Sequence, residues 1–160
     1  QAEEGVCGGI VGATEENFKK SEVYLKTFCK DYFHFGEVGK GAKSKLLNNF
    51  FSLGAATYVI ELIKSAKKLD VDLEKLFAVA KLGSGNSTAL NRIFDNVLKG
   101  DYTGFKFSTA NTLKDLTYIQ EMLKDVGNAE KLADVKKSFY KKAVDEGHGD
   151  LFISELIQKD

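Results

Sequence analysis

Along the chain, the spacing of apolar positions changes near residue 36. Before it come three short runs: Val6-Cys7-Gly8-Gly9-Ile10-Val11-Gly12, then Phe18, Tyr24, Leu25 and Phe28, then Tyr32-Phe33-His34-Phe35. The first is apolar and broken by glycine, part strand and part turn. The second predicts a helix with an apolar face, running from Thr14 as N-cap to about Phe28. The third alternates, which predicts a strand with Phe33 and Phe35 on one face and Tyr32 and His34 on the other. Residues 5–36 therefore read as β-α-β, and two strands rarely stand without more sheet or a cover.

From Gly41 onward the pattern is helical. Leu46, Leu47, Phe50, Leu53, Val59, Ile60, Leu62 and Ile63 cover more than one stripe of a helix that extends to Lys68, roughly 40 Å at ~1.5 Å per residue. Gly54-Ala55-Ala56 forms a small-residue patch in its middle where another helix could approach. Asp72 is placed to cap the next helix, which stops near Gly83. Ser87 caps another that ends at Gly100. Ser108 or Asn111 opens a further helix ending before Gly127. The last long helix runs from about Ala129 to Glu146, and Asp150 caps a short final one. There is no internal repeat or low-complexity linker, so the glycine break at 36–41 is the expected domain boundary: a β-α-β piece over 1–36 and a helical domain over 37–160. No apolar run approaches the ~18 residues that suggest a membrane span, and no basic-then-apolar leader is visible, so no membrane-spanning segment and no membrane partner is expected.

Composition narrows the partners. Lys+Arg and Asp+Glu are both 23, giving a formal net charge of zero. That balance argues against nucleic acid, whose binding domains carry a basic field. Hydrophobic content of 43% is enough for a core within 160 residues. Cys7 and Cys29 lack CxxC spacing and read as free thiols of a reducing, cytoplasmic setting. With His34 and His148 the only histidines, no metal site is expected.

The chemistry-bearing stretch is Gly36-Glu-Val-Gly39-Lys-Gly41-Ala-Lys-Ser-Lys45-Leu-Leu-Asn48-Asn49. Lys45, Asn48 and Asn49 stand at i, i+3 and i+4, which gathers an amine and two amides on one helix surface. A phosphate loop of the Walker type fails here, because Gly41 is followed by Ala42 and Lys43 rather than lysine and a hydroxyl residue. A strand-to-helix turn followed by solvated polar residues is one remaining reading. A site is the other: adjacent asparagines are poor helix formers, and Lys45 falls near the apolar face of Leu46 and Phe50.

The motif Gly-x-x-Gly-x-Gly-x3-Lys-x2-Asn-Asn at the start of a long helix resembles the lysine motif of the β-hydroxyacid dehydrogenases, the family of 3-hydroxyisobutyrate dehydrogenase, tartronate semialdehyde reductase and glyoxylate/succinic semialdehyde reductases. In 6-phosphogluconate dehydrogenase, a more distant relative, a histidine stands where this chain has Asn48. Val6-Cys7-Gly8-Gly9-x-x-Gly12-Ala13 is similar to the family's substrate loop, with Cys7 in place of serine. Phe107-x6-Lys114-Asp115-Leu116 resembles its Lys-Asp segment, and Gly147-His148-Gly149-Asp150…Ser154 more weakly its C-terminal segment, with Phe152 and Glu155 departing from the pattern. His148 is then a turn residue.

The resemblance implies a mainly α fold: the all-helical C-terminal domain of a 6-phosphogluconate-dehydrogenase-like enzyme, opened by a long interdomain helix and preceded by a β-α-β remnant of a Rossmann domain. It implies hydride transfer between NAD or NADP and a small hydroxy acid or its semialdehyde or keto form. Lys45 would be the general acid/base, its amine desolvated in a closed cleft. Asn49, with Asn48 beside it, would hold the substrate and orient Lys45. Gly8 and Gly9 would offer backbone N–H groups to its carboxylate, and Phe107 would wall the pocket. Lys114, Asp115, Gly39 and Gly41 would meet the cofactor. A homo-oligomer through the helical domain is also implied. The dinucleotide fingerprint Gly-x-Gly-x-x-Gly is absent from the chain. The expectation is therefore a C-terminal fragment, inactive alone, to which neither cofactor binds tightly. The competing expectation is a non-catalytic helical module for dimerisation or protein interaction.

Overall fold

The computed structural model describes residues 3–159. The element order is β1 (Cys7–Val11), α1 (Glu15–Phe28), β2 (Cys29–His34), α2 (Lys40–Lys68), α3 (Leu73–Leu82), α4 (Thr88–Val97), α5 (Thr109–Met122), α6 (Gly127–Asp145) and a closing 3-10 helix (Ile153–Gln158). The chain is thus mainly helical. Two compact units divide it, Gln1–Asn48 and Asn49–Asp160, and the division falls within α2.

In the first unit β1 and β2 pair in parallel, with Gly9 opposite Tyr32 and Val11 opposite His34 and an irregularity between Cys7 and Gly8. Thr14 caps α1, accepting from the Asn17 amide at 3.3 Å. Parallel strands need a crossover, and α1 supplies it. The helix buries none of its residues, however. Tyr24 and Phe28, expected on its apolar face, are 70% and 39% exposed. Its packing rests on Phe18, whose ring stacks on His34 at 4.3 Å and tilts against Tyr32 at 6.1 Å. His34 Nε2–H donates to the Ala13 carbonyl at 2.7 Å, which fixes the turn after β1. Phe33 and Phe35 do share the other face, where both are exposed. Cys7 and Cys29 are free thiols.

The second unit carries the core. Ile63 of α2, Ile93 and Phe94 of α4, Leu116 and Ile119 of α5, and Ile153 of the closing helix are fully buried. Phe77 of α3 stacks on Phe94 at 4.8 Å. Asp72, Ser87 and Ser108 cap α3, α4 and α5 by accepting from amides three residues on. Among the described residues the one buried phenol, Tyr140, shares a 2.7 Å hydrogen bond with the Thr57 hydroxyl, and burial pushes its pKa upward.

Three expectations are corrected here. The closing helix is not capped by Asp150: it starts at Ile153, where the Glu155 carboxylate accepts from the Phe152 amide at 2.7 Å. The small patch on α2 is not filled by a close helix backbone. A Cβ on Gly54 would sit 3.0 Å from the Lys136 ammonium. Finally, α2 does contain a window long and apolar enough, by length and composition alone, to cross a bilayer. Only part of its apolar surface is buried in the bundle, at Leu53, Ala56, Val59, Ile60, Ile63 and Ala66, while Leu47, Phe51 and Tyr58 stay exposed.

The C-terminal segment closes the second unit. Ala110 N–H donates to Gly149 O at 2.9 Å, Thr109 N–H to Leu151 O at 2.8 Å, and Ile153 N–H to Phe107 O at 2.9 Å. The fully buried Ser154 hydroxyl donates to Tyr102 O at 2.7 Å and accepts from Phe105 N–H at 3.1 Å. His148 sits in the turn that ends α6, its amide bonded to Ala143 O, as the sequence implied.

Candidate active site

Of the residues singled out in the sequence, the structure joins Asn49, Lys114 and Asp115. The Asn49 side-chain amide donates to Asp115 Oδ2 at 2.8 Å, across 66 residues of sequence. Lys114 Nζ stands 3.3 Å from Asp115 Oδ1. Both carboxylate oxygens are therefore engaged, and the Asp115 side chain keeps only 13% of its exposure. Asp115 lies past the first turn of α5, where its role is to tie α5 to α2 rather than to answer the helix dipole.

Lys45 precedes Asn49 by one turn along α2, so the helical repeat puts the amine and the amide on the same side. Lys45 is exposed, which departs from the closed, desolvated setting expected for it. Asn48 is exposed and Asn49 half-buried, so of the two amides only Asn49 reaches a partner inside the unit.

The glycines divide into two kinds. Gly39 has φ +90° and turns the chain into α2 with open space around it. Gly41 is buried: a Cβ there would lie 2.6 Å from Gly12 N, and a Cβ on Gly12 would lie 2.4 Å from Gly41 N. Only paired glycines let the end of β1 cross the first turn of α2. Packing alone thus accounts for Gly41, without the cofactor contact the resemblance implied. Gly8, on β1, has open space where a Cβ would project, whereas a Cβ on Gly9 would fall 2.7 Å from Tyr32 Cβ. Phe107 is half-buried in the connection just before α5, and its carbonyl belongs to the C-terminal closure. It borders a polar hollow with Arg92, Asn96, Asp101 and Thr103.

A family model described as the NAD-binding part of NADP-dependent 3-hydroxyisobutyrate dehydrogenase matches residues 39–159. The chain belongs to the 3-hydroxyisobutyrate dehydrogenase family. Among its relatives, a probable mitochondrial 3-hydroxyisobutyrate dehydrogenase of Dictyostelium discoideum is 27% identical over 155 residues, which are 92% of this chain and 48% of the relative. The chloroplastic glyoxylate/succinic semialdehyde reductase 2 of Arabidopsis thaliana is 24% identical over 157 residues, 98% of this chain and 44% of that enzyme. A solved Mycobacterium tuberculosis 3-hydroxyisobutyrate dehydrogenase with L-serine superposes with a TM-score of 0.83 at 25% identity, over 98% of this chain and 56% of that one. The chain thus spans about half the length of the curated relatives it matches.

Membership in the 3-hydroxyisobutyrate dehydrogenase family gives the Asn49–Asp115 bond a context. It links two motif segments that sequence reading singled out separately, the Lys-x2-Asn-Asn helix and the Lys-Asp helix. The bond itself was not legible beforehand: Asn49 was read as facing substrate and Asp115 as facing cofactor. The signal that pointed to Asn49 was two asparagines inside an apolar helix, and Asp115 came from the resemblance of the Phe107-x6-Lys114-Asp115-Leu116 segment.

Proposed function

We propose that this chain is the C-terminal portion of an NAD(P)-dependent dehydrogenase of small hydroxy acids, with α2 as interdomain helix, α2 to the closing helix as the helical domain, and β1-α1-β2 as the last piece of a Rossmann domain. The observation that carries this reading is the Asn49–Asp115 hydrogen bond, which fixes the amide one turn from Lys45.

The residues present suit the reacting end of such a site. They do not suit the nucleotide end, because no Gly-x-Gly-x-x-Gly occurs in the chain and Gly41 is taken up by Gly12. NAD or NADP, held mainly by the rest of the enzyme, supplies the hydride acceptor or donor. Lys45 accepts the hydroxyl proton when the alcohol is oxidised and returns it when the carbonyl is reduced. Asp115 holds the Asn49 amide group by one N–H, leaving the other N–H and the carbonyl oxygen for a substrate hydroxyl or for the Lys45 ammonium. Lys114 supplies a positive charge beside them. Asn48, Gly8, Gly9 and Phe107 complete the proposed substrate contacts, and Gly39 sets the angle at which α2 enters. Exposed Val79 and Leu82 on α3, and Val135 and Phe139 on α6, support assembly of two or more copies through the helical domain.

The test compares the 160-residue chain with the full-length enzyme on 3-hydroxyisobutyrate, with both cofactors. The short chain is expected to show no turnover. In the full-length enzyme Lys45→Arg is expected to lower kcat by about 10²–10⁴-fold, because guanidinium cannot serve as a base. Normal turnover of Lys45→Arg would overturn the role of Lys45. A full-length protein inactive on every small hydroxy acid would favour the helical interaction module instead.

A further inference from the structure

The second unit holds a groove between α2, α6 and the α3–α4 connection, with a volume of about 540 Å³. That is within the ~300–1,000 Å³ of small-molecule sites. Its walls are apolar and aromatic: Phe51, Tyr58 and Leu62 from α2, Leu90 from α4 and Leu132 from α6. One cation stands in it, Lys136 of α6.

The placement of that ammonium is specific. Nζ donates to the Phe50 carbonyl at 3.2 Å and lies 3.6 Å over the Phe50 ring centroid. Gly54, in the next turn of α2, leaves its room: a Cβ there would approach Nζ to 3.0 Å. A glycine inside a helix costs about 1 kcal/mol relative to alanine. Here the side chain that a Cβ would meet is that of Lys136. Among the described residues no carboxylate lies within salt-bridge distance of Lys136, and it makes one hydrogen bond although an ammonium has three donors. Desolvation in this setting lowers its pKa. The molecule therefore keeps a half-buried cation in an apolar groove, with no counter-charge at salt-bridge distance among the described residues.

We propose that this groove binds an apolar monocarboxylate of the fatty-acid class, its carboxylate on Lys136 and its alkyl chain along Phe51, Tyr58, Leu62 and Leu132. Charge complementarity selects the head group. One ammonium matches one negative charge, whereas a phosphate dianion would remain half neutralised among apolar walls. The aromatic and aliphatic lining selects the tail. The groove's lining shares no residue with the Asn49–Lys114–Asp115 cluster, and the proposal does not depend on the activity proposed above.

The experiment is a calorimetric titration of decanoate into the full 160-residue chain, with decan-1-ol as the uncharged control and sedimentation velocity at the same concentrations. Saturable one-to-one binding of decanoate is expected. Decan-1-ol with wild type, and decanoate with Lys136→Met, should each bind about tenfold more weakly. Lys136→Arg should retain most of the affinity, and Gly54→Leu should lose binding. Thermal melts identify any variant that fails to fold, and the Lys136 pair carries the test if Gly54→Leu does. Absence of saturation overturns the proposal, as does equal binding of decanoate and decan-1-ol or unchanged affinity in Lys136→Met. Decanoate binding that falls as self-association rises would assign the groove to a second copy of the chain and overturn it as well.

Discussion

The two units differ in what holds them. The helical unit centres on side chains with no exposure, Phe94, Ile63, Ile93, Leu116, Ile119 and Ile153 among them. Among the described residues of the β-α-β unit, Cys29 is the buried hydrophobic side chain, while Phe33, Phe35 and Tyr24 keep 61%, 47% and 70% of their exposure. Both units form regular secondary structure. Local propensity and caps suffice for that, whereas stability comes from removing apolar surface from water. One unit has a core of its own, and the other is a strand pair with one uncovered face.

Substitutions can break this contrast, the largest effect being expected in the core. Phe94→Ala removes a ring stacked on Phe77 and should cost about 3–5 kcal/mol in urea unfolding of the helical unit. Phe33→Ala, on the uncovered strand face, should change stability by less than about 0.5 kcal/mol. Similar losses at the two positions would mean that both units share one core. Next comes Ser154→Ala, which strands the Tyr102 carbonyl and the Phe105 amide. A loss of about 1–3 kcal/mol is expected, with faster amide exchange at Phe105. Gly41→Ala forces β1 away from α2. Amide exchange should accelerate over residues 7–34 and stay unchanged in α4 and α5, and equal acceleration in both units would erase the distinction. Thr14→Ala should cost about 1 kcal/mol of α1 stability through the lost bond to Asn17. Circular dichroism of the variant should show a modest helix loss.

The sequence disclosed most where the determinants are local. The Thr14, Asp72, Ser87 and Ser108 caps each act over three residues, so they mark helix starts without knowledge of the fold. The β-α-β order was legible for the same reason: its period changes twice within residues 5–36. The closing helix was misread because its cap comes from Glu155, inside the element, rather than from the aspartate before it. Lys45, Asn49 and Asp115 were found as residue types in motifs. Their geometry was not, because Asn49 and Asp115 meet across 66 residues and nothing nearby in sequence records the pairing. The surroundings of Gly54 stayed opaque for a related reason: the side chain nearest to it belongs to Lys136, on a helix far along the sequence.

The C-terminal closure has a consequence for the order in which the chain can be completed during synthesis. The start of α5 and the 102–107 connection are bonded to Gly149, Leu151, Ile153 and Ser154, which emerge from the ribosome after every long helix has done so. Domains generally fold as units during translation. The helical unit therefore waits as a nearly finished bundle with the Thr109 and Ala110 amides and the Phe105 amide unpaired. A chain stalled shortly before Gly149 would present those groups, and the apolar surface that Ile153 covers, to proteases and chaperones.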